Sequence, residues 1–312
     1  MEQVEQFFKN RKFNYHFDDC VKYGKRQPIT SGYNHSDKMK PLNSGSLIKD
    51  EDIAKLAELP KKFDLKKYIT EIHDQSDQDL AVSCAISTAI SIRTKYINDQ
   101  RYALTWLFFG NKFVPINPSV LYIHWNANID NLNRCQQDED KSLIDHLNKV
   151  KPSRCGPSIY AHLMSIETHK IVDISKYEDD LKNKLGMKPD LNTFYHARKS
   201  SPIDWIKISP DENTFKILLH KGYAIIAGIA LFQESVEWMS FHFGLIMTPN
   251  PGENTWIGSD VITIVGYNDH KKVFMIVRSL GIAWGEGGYG TIPYNYIFNP
   301  ELAGDFAIID YK

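Results

Sequence analysis

The stretch VITIVGYND, residues 261–269, decides the fold, because it is an apolar run of strand length that ends in an Asn-Asp turn. A second apolar run, Val273–Val277, follows the turn, so the two runs are predicted to pair as antiparallel strands. Further strand-like runs occupy the C-terminal half, separated by glycine or polar turns: Tyr223–Leu231, Leu245–Met247 and Phe306–Asp310. This half of the chain therefore predicts an antiparallel β region.

Helical patterns dominate the first half of the chain. Ser83–Ile97 has apolar residues on more than one face, which predicts a buried helix. Other predicted helices are Asp50–Leu56, a segment beginning near Ser119, Ser142–Val150, Pro157–Ile166 and Phe215–Leu219. Helices followed by antiparallel strands are typical of an α+β fold.

Charge and hydropathy exclude several classes of protein. The formal net charge is -1, and a nucleic-acid partner would usually require a basic excess or stripe. No apolar run approaches the roughly 20 residues that a membrane helix needs. The N-terminus has no apolar segment of the kind found in signal peptides, so we predict a non-secreted, cytoplasmic protein.

The cysteines do not form a metal-binding pattern. Cys20, Cys84, Cys135 and Cys155 include no Cys-x-x-Cys pair, so no zinc site, other metal or cofactor is predicted. In a reducing compartment they are expected to be free thiols. Two acidic runs, Asp138–Asp140 and Asp179-Asp180, are interpreted as charges of loops or helix ends.

Three motifs occur in a characteristic order. The first joins Leu59-Pro60 and Phe63–Leu65 to Ile72–Gln75 and Val82-Ser83-Cys84; the second is residues 261–269, and the third is Gly281–Gly290. Together they resemble the opening, nucleophile, histidine and asparagine segments of the papain-like family of cysteine peptidases. Asn117–Ile123 is similar to a helix of the signal-less branch of that family, found in bacteria and large DNA viruses.

The resemblance implies a two-lobed fold. Its left lobe would be helical with a buried central helix, and its right lobe would be antiparallel and β-barrel-like. Residues 1–58 would form an N-terminal extension similar to a propeptide, and residues 59–312 the papain-like domain. Within that domain the helical lobe is predicted at about 59–205 and the β lobe at about 206–312.

The resemblance also assigns the catalytic positions, and two of the three are substituted. Cys84 occupies the nucleophile position at the start of the central helix, where a helix dipole favours a thiolate. Asp260 stands at the histidine position and Arg278 at the asparagine position, while Leu280 replaces a tryptophan. We hypothesise that Asp260 and Arg278 form an ion pair; the alternative is that each substitution arose independently after activity was lost.

The glutamine of the oxyanion hole has two candidates. Gln78 lies at the family's distance from Cys84, whereas Gln75 matches the local motif better and implies a small insertion. Asp79, Ala81 and Val82 fill a stretch that is glycine-rich in the family, and such side chains are expected to disturb the backbone donor of the hole.

These substitutions predict a catalytically inactive homologue, a pseudoenzyme that serves as a structural or protein-binding module, with a virion or capsid role suggested by the viral branch. Its partner would be a protein or peptide. The alternative is an active endopeptidase with an unconventional base, for which His73, His242 and His270 are candidates. Each of these histidines also has a plain structural interpretation, with His73 and His270 expected at the surface. A third, weaker possibility is an inhibitor-like protein that still binds peptides in the cleft.

Overall fold

The computed structural model describes residues 47–76, 78–105, 114–137, 158–233, 243–249 and 256–311. The predicted helix Ser142–Val150, the acidic run 138–140, His242, Cys20 and Cys155 lie outside these ranges. So does most of the predicted N-terminal extension, and its division from the papain-like domain stays a prediction, as do the boundaries of the two lobes.

Seven of the eight described helices precede residue 221, ahead of most of the strands, which agrees with the predicted order of helices before strands. They are α1 (Asp50–Ala54), α2 (Ala81–Thr105), α3 (Val120–Gln137), α4 (Ile159–His169), α5 (Leu181–Lys184), α6 (Leu191–Ala197), α7 (Glu212–His220) and α8 (Tyr294–Ile297), with 3₁₀ turns at Leu56–Glu58 and Lys66–Tyr68. The helix predicted at Ser83–Ile97 is α2, which extends beyond the prediction at both ends.

The strands within the described residues form one seven-stranded, antiparallel sheet. They are β1 (Lys62–Asp64), β2 (Ile203–Lys207), β3 (Ile225–Phe232), β4 (Trp256–Asn268), β5 (Val273–Val277), β6 (Tyr289–Pro293) and β7 (Ala303–Tyr311). Their order is β2-β7-β3-β4-β5-β6, and β1 pairs with β4. The segment predicted as the strand Leu245–Met247 contributes only a single bridge, from Leu245 to Thr291 of β6.

The VITIVGYND stretch is the second part of β4, and its glycine has a steric purpose. β4 pairs with β3 through residue 264 and then with β1 from residue 266. A Cβ atom on Gly266 would lie 2.5 Å from the carbonyl oxygen of Phe63, so a side chain there would push β1 away. The glycine therefore lets β4 contact β1 on one side while it pairs with β5 on the other.

The central helix α2 packs against β4 and β7, which places its N-terminus beside the strands that carry the substituted positions. Its apolar residues Ile86, Ile90 and Ile92 are fully buried, as the sequence predicts. Within the part of the chain that the structure describes, no helix has the length and apolar character needed to cross a membrane.

The Asp179-Asp180 pair lies at helix ends, as interpreted from the sequence. The Asp179 carboxylate accepts the N–H groups of Val120 and Leu121, at 2.9 Å each, and so caps α3 from a distant segment. Asp180 is the N-cap of α5 and accepts the N–H of Asn183. Among the described residues, no group of three or more potential ligands is placed to hold a metal ion.

Candidate active site

Asp260 and Arg278 form the ion pair that their positions suggested. Asp260 lies on β4 and Arg278 directly follows β5, so the pairing of these strands brings the two side chains together. Arg278 Nε and Nη2 each lie 2.6 Å from Asp260 Oδ2. Asp260 Oδ1 accepts the N–H of Val261 at 2.8 Å. The side chains are 6% and 0% exposed, so both charges are removed from water.

Trp284 completes this buried cluster. The Arg278 guanidinium lies 5.1 Å from the centre of its ring, within the range of a cation–π contact. Leu280, which stands where the family has another tryptophan, is also buried and pairs with Asp74.

Cys84 is a buried thiol rather than a residue at the tip of the helix. α2 begins at Ala81, so Cys84 is its fourth residue, and the Cys84 N–H donates to the Leu80 carbonyl at 2.9 Å. The side chain packs in an apolar cluster that includes Val120 and Tyr177. Burial, and then the negative charge of Asp179, raise the pKa of the Cys84 thiol well above its ordinary value. The protonated, poorly nucleophilic form is therefore favoured.

His73 is buried, so the expectation that it lies at the surface is wrong. Its side chain is 9% exposed, and Nδ1 lies 3.9 Å from Glu71 Oε1. The Gly281 N–H donates to the His73 carbonyl at 2.9 Å, a contact that holds this segment against the third motif. Burial lowers the pKa of His73, against the opposing effect of the Glu71 charge. His270 is exposed in a turn after β4, as expected.

A small cavity joins several of these residues. Its volume is about 10 Å³, room for about one water molecule. The lining residues are His73, Ala81, Cys84, Ala85, Thr88, Val261, Thr263, Val277, Arg278 and Ser279. His73 and Cys84 thus line one small space that Arg278 also reaches.

The two glutamine candidates are in different environments. Gln75 is buried; its Oε1 accepts the Ser279 hydroxyl at 2.7 Å, and its N–H donates to the Ser279 carbonyl at 2.9 Å. Gln78 is partly buried, and its N–H donates to the Gln75 carbonyl. Gln75 is thereby tied to the residue that follows Arg278.

Asp79 has an electrostatic property that the sequence did not reveal. Burial, and then the nearby charge of Asp260, raise the pKa of Asp79 to about 7. Only the fold brings this carboxyl close to Asp260, since the two residues are far apart in the chain.

Comparison with known proteins places this geometry in a structural class. Xylellain, a cysteine protease from Xylella fastidiosa, superimposes with a TM-score of 0.63 at 21% identity, over 83% of this chain and 89% of that chain. The procathepsin B S9 of Trypanosoma congolense gives a TM-score of 0.52 at 14% identity, over 100% and 96% of the two chains. The fold is therefore that of the papain-like cysteine proteases, an α+β fold.

A sequence relationship points in the same direction. The "uncharacterized peptidase C1-like protein L477" of Acanthamoeba polyphaga mimivirus is 26% identical over 257 residues, which cover 79% of this chain and 73% of that protein. No family model matches the chain. The chain is thus similar in sequence to a protein named peptidase C1-like and similar in fold to papain-like cysteine proteases.

Proposed function

We propose that this chain is a catalytically inactive papain-like homologue that has kept the fold as a protein-binding or structural module. The observation that carries the proposal is the buried ion pair between Asp260 and Arg278, which occupies the positions that the resemblance assigns to histidine and asparagine. A papain-like mechanism needs a group that takes the thiol proton and returns it to the leaving amine. A carboxylate held by a guanidinium is a poor acid for that step, and arginine does not exchange protons near neutral pH.

The environment of Cys84 supports the same proposal. Its burial and the surrounding carboxylates favour the thiol over the thiolate. Its backbone N–H, which would contribute to an oxyanion hole, donates to Leu80 within the helix. Loss of the catalytic groups alone reduces turnover by roughly 10⁴ or more in related mechanisms.

Labelling of Cys84 tests the proposal. The full chain would be incubated with a thiolate-directed epoxide or vinyl sulfone between pH 5 and 9, and Cys84 adducts would be mapped by mass spectrometry, with Cys84→Ala as the site control. We expect no adduct in the unmodified protein. Labelling gained in the double variant Asp260→His with Arg278→Asn would assign the loss of chemistry to those two positions. Rapid labelling of the unmodified protein would contradict the proposal.

One observation favours the alternative, an active endopeptidase with an unconventional base. His73 lines the same cavity as Cys84, so it is the candidate base that the described residues bring to the thiol. On that alternative, Cys84 would be labelled in the unmodified protein, and His73→Gln would abolish labelling while leaving the unfolding transition in place. Labelling that persists in His73→Gln would remove His73 from consideration.

The partner and the location belong to the same proposal. We infer a protein or peptide partner and a non-secreted protein, either cytoplasmic or part of a virion or capsid. The relative encoded by a mimivirus supports the viral setting. Mass spectrometry of purified virus particles from the source would test it, and absence of the chain from intact particles would argue for the cytoplasmic role.

A further inference from the structure

Two large apolar side chains are exposed on adjoining turns beside the candidate site. Phe243 is 79% exposed and Ile282 is 74% exposed. Their turns touch, because a Cβ atom on Gly244 would lie 3.0 Å from the Cα of Gly285. The turn that contains Ile282 is closed by the Trp284 N–H, which donates to the Gly281 carbonyl at 3.2 Å.

The backbone at Phe243, and at the glycine that precedes Ile282, has a left-handed conformation. Phe243 has a φ of 51°, in the left-handed region, which is uncommon for an aromatic residue. Gly281, next to Ile282, has a φ of 74°, and a Cβ atom there would lie 2.7 Å from Asp74 Oδ2. Exposed apolar groups that the fold could otherwise bury are frequent at binding surfaces.

Exposed acidic side chains lie on the segments that adjoin the apolar pair. Asp74 packs against Gly281 and is itself exposed. Glu71 precedes it by three residues and is exposed, and Glu286 lies in the turn after Gly285, also exposed. Lys66 is a nearby cation, but its Nζ lies over the Tyr289 ring, 4.2 Å from the centre. Among the described residues, the surface therefore combines two apolar side chains with three exposed carboxylates.

We infer that these five residues form a docking surface for a partner segment that places an apolar side chain next to lysine or arginine. We call this the rim surface, defined by Glu71, Asp74, Phe243, Ile282 and Glu286. The apolar pair contributes burial, and the carboxylates attract the basic residues and reject acidic segments. The inference rests on the proposed function, since it names the chemistry of the partner of a binding module.

Synthetic peptides of about 12 residues would test the rim surface by fluorescence anisotropy with the full chain. One probe alternates phenylalanine and leucine with lysine, a second replaces every lysine with glutamate, and a third replaces every apolar residue with glycine. We expect only the first to bind.

The double variant Phe243→Ser with Ile282→Ser should weaken binding of the first peptide at least about tenfold, since burial of one such side chain stabilises by about that factor. Glu71→Gln with Glu286→Gln should weaken it about threefold at low salt and not at about 0.5 M salt.

The matched control is a second exposed apolar pair on α6, Leu191→Ser with Tyr195→Ser, which are 86% and 56% exposed in the native chain. It should leave the affinity unchanged. Equal losses in both double variants, equal binding of the glutamate peptide, or no binding at all would overturn the rim surface. Binding accompanied by cleavage of the lysine peptide would support the rim surface and contradict the proposed loss of activity, so the two failures are distinguishable.

Discussion

The described residues contain two largely buried arginine–aspartate pairs, and they differ in what they connect. Arg93 of α2 reaches Asp310 of β7 through Nε and Nη2, at 3.2 Å and 3.0 Å from Oδ1. The same guanidinium donates to the Lys221 carbonyl at 2.8 Å and to the Tyr223 hydroxyl at 2.6 Å. This pair joins the central helix to the sheet and to the turn after α7.

The Arg278–Asp260 pair joins neighbouring strands, and its guanidinium also contacts the Trp284 ring. Its residues belong to β4 and the end of β5, which the backbone hydrogen bonds of the sheet already join. It is also the more deeply buried of the two, with side chains 0% and 6% exposed against 14% and 19% for Arg93 and Asp310. Burying two charges has a large desolvation cost, and well-packed apolar residues can often replace such a pair without loss. We therefore expect the pair as a whole to contribute little to the free energy of unfolding.

Removing one partner of the deeper pair should have the largest effect. Arg278→Met leaves the Asp260 carboxylate buried without its cation, and we expect a loss of about 3–5 kcal/mol in the free energy of unfolding. The double variant Asp260→Leu with Arg278→Met should recover most of that loss, because it removes both charges. Urea unfolding of the three proteins would measure this. A double variant as unstable as the single one would show that the pair is a structural requirement and would remove the contrast with Arg93.

Arg93→Met should cost less, about 2–3 kcal/mol, because Asp310 is closer to solvent than Asp260 and Tyr223 still donates to Asp310. Here a double variant with Asp310→Leu should not recover the loss, since the bonds from Arg93 to Lys221 and Tyr223 vanish as well. Lys67→Met is the matched control: it breaks the exposed pair with Asp99 and should leave the urea midpoint unchanged. Full recovery in the Arg93 double variant would make the two pairs equivalent.

The two pairs also show which side-chain contacts can be predicted from sequence motifs. Asp260 and Arg278 lie just before two motifs whose spacing fixes their relative position, so their ion pair could be predicted. Arg93 and Asp310 lie 217 residues apart, and neither stands in a motif. Their ion pair between α2 and β7 is therefore visible only in the folded chain. The strands of the C-terminal half and the burial of α2 were predictable because their apolar patterns are local.

At the candidate site, two predictions were wrong: the exposure of His73 and the residue at which α2 begins. His73 is buried because residues 73–75 bond to residues 279–281, about 200 positions away. The start of α2 was misplaced because Leu80, Ala81 and Val82 carry no capping side chain, so nothing local marks the helix N-terminus. That error matters for function, since it moves Cys84 from the tip of the helix into its first turn.

Asp79 allows a smaller, pH-dependent test of the difference between the two arginine–aspartate pairs, because its carboxyl lies close to Asp260. The folded protein retains the Asp79 proton up to a pKa of about 7, whereas an unfolded aspartate releases it near 4. The folded state therefore binds more protons between these values, and its stability falls as the pH rises from about 4 to about 7.

Asp79→Asn removes this loss of stability, and we expect a gain of about 1–2 kcal/mol in the free energy of unfolding at pH 8, allowing for the partial exposure of Asp79, and almost none at pH 4. Urea unfolding at both pH values would measure it. The gain should increase in the Arg278→Met background, where the Asp260 charge is uncompensated, and remain unchanged in the Arg93→Met background. A gain of equal size at both pH values would mean that packing, and not the charge of Asp260, sets the behaviour of this carboxyl.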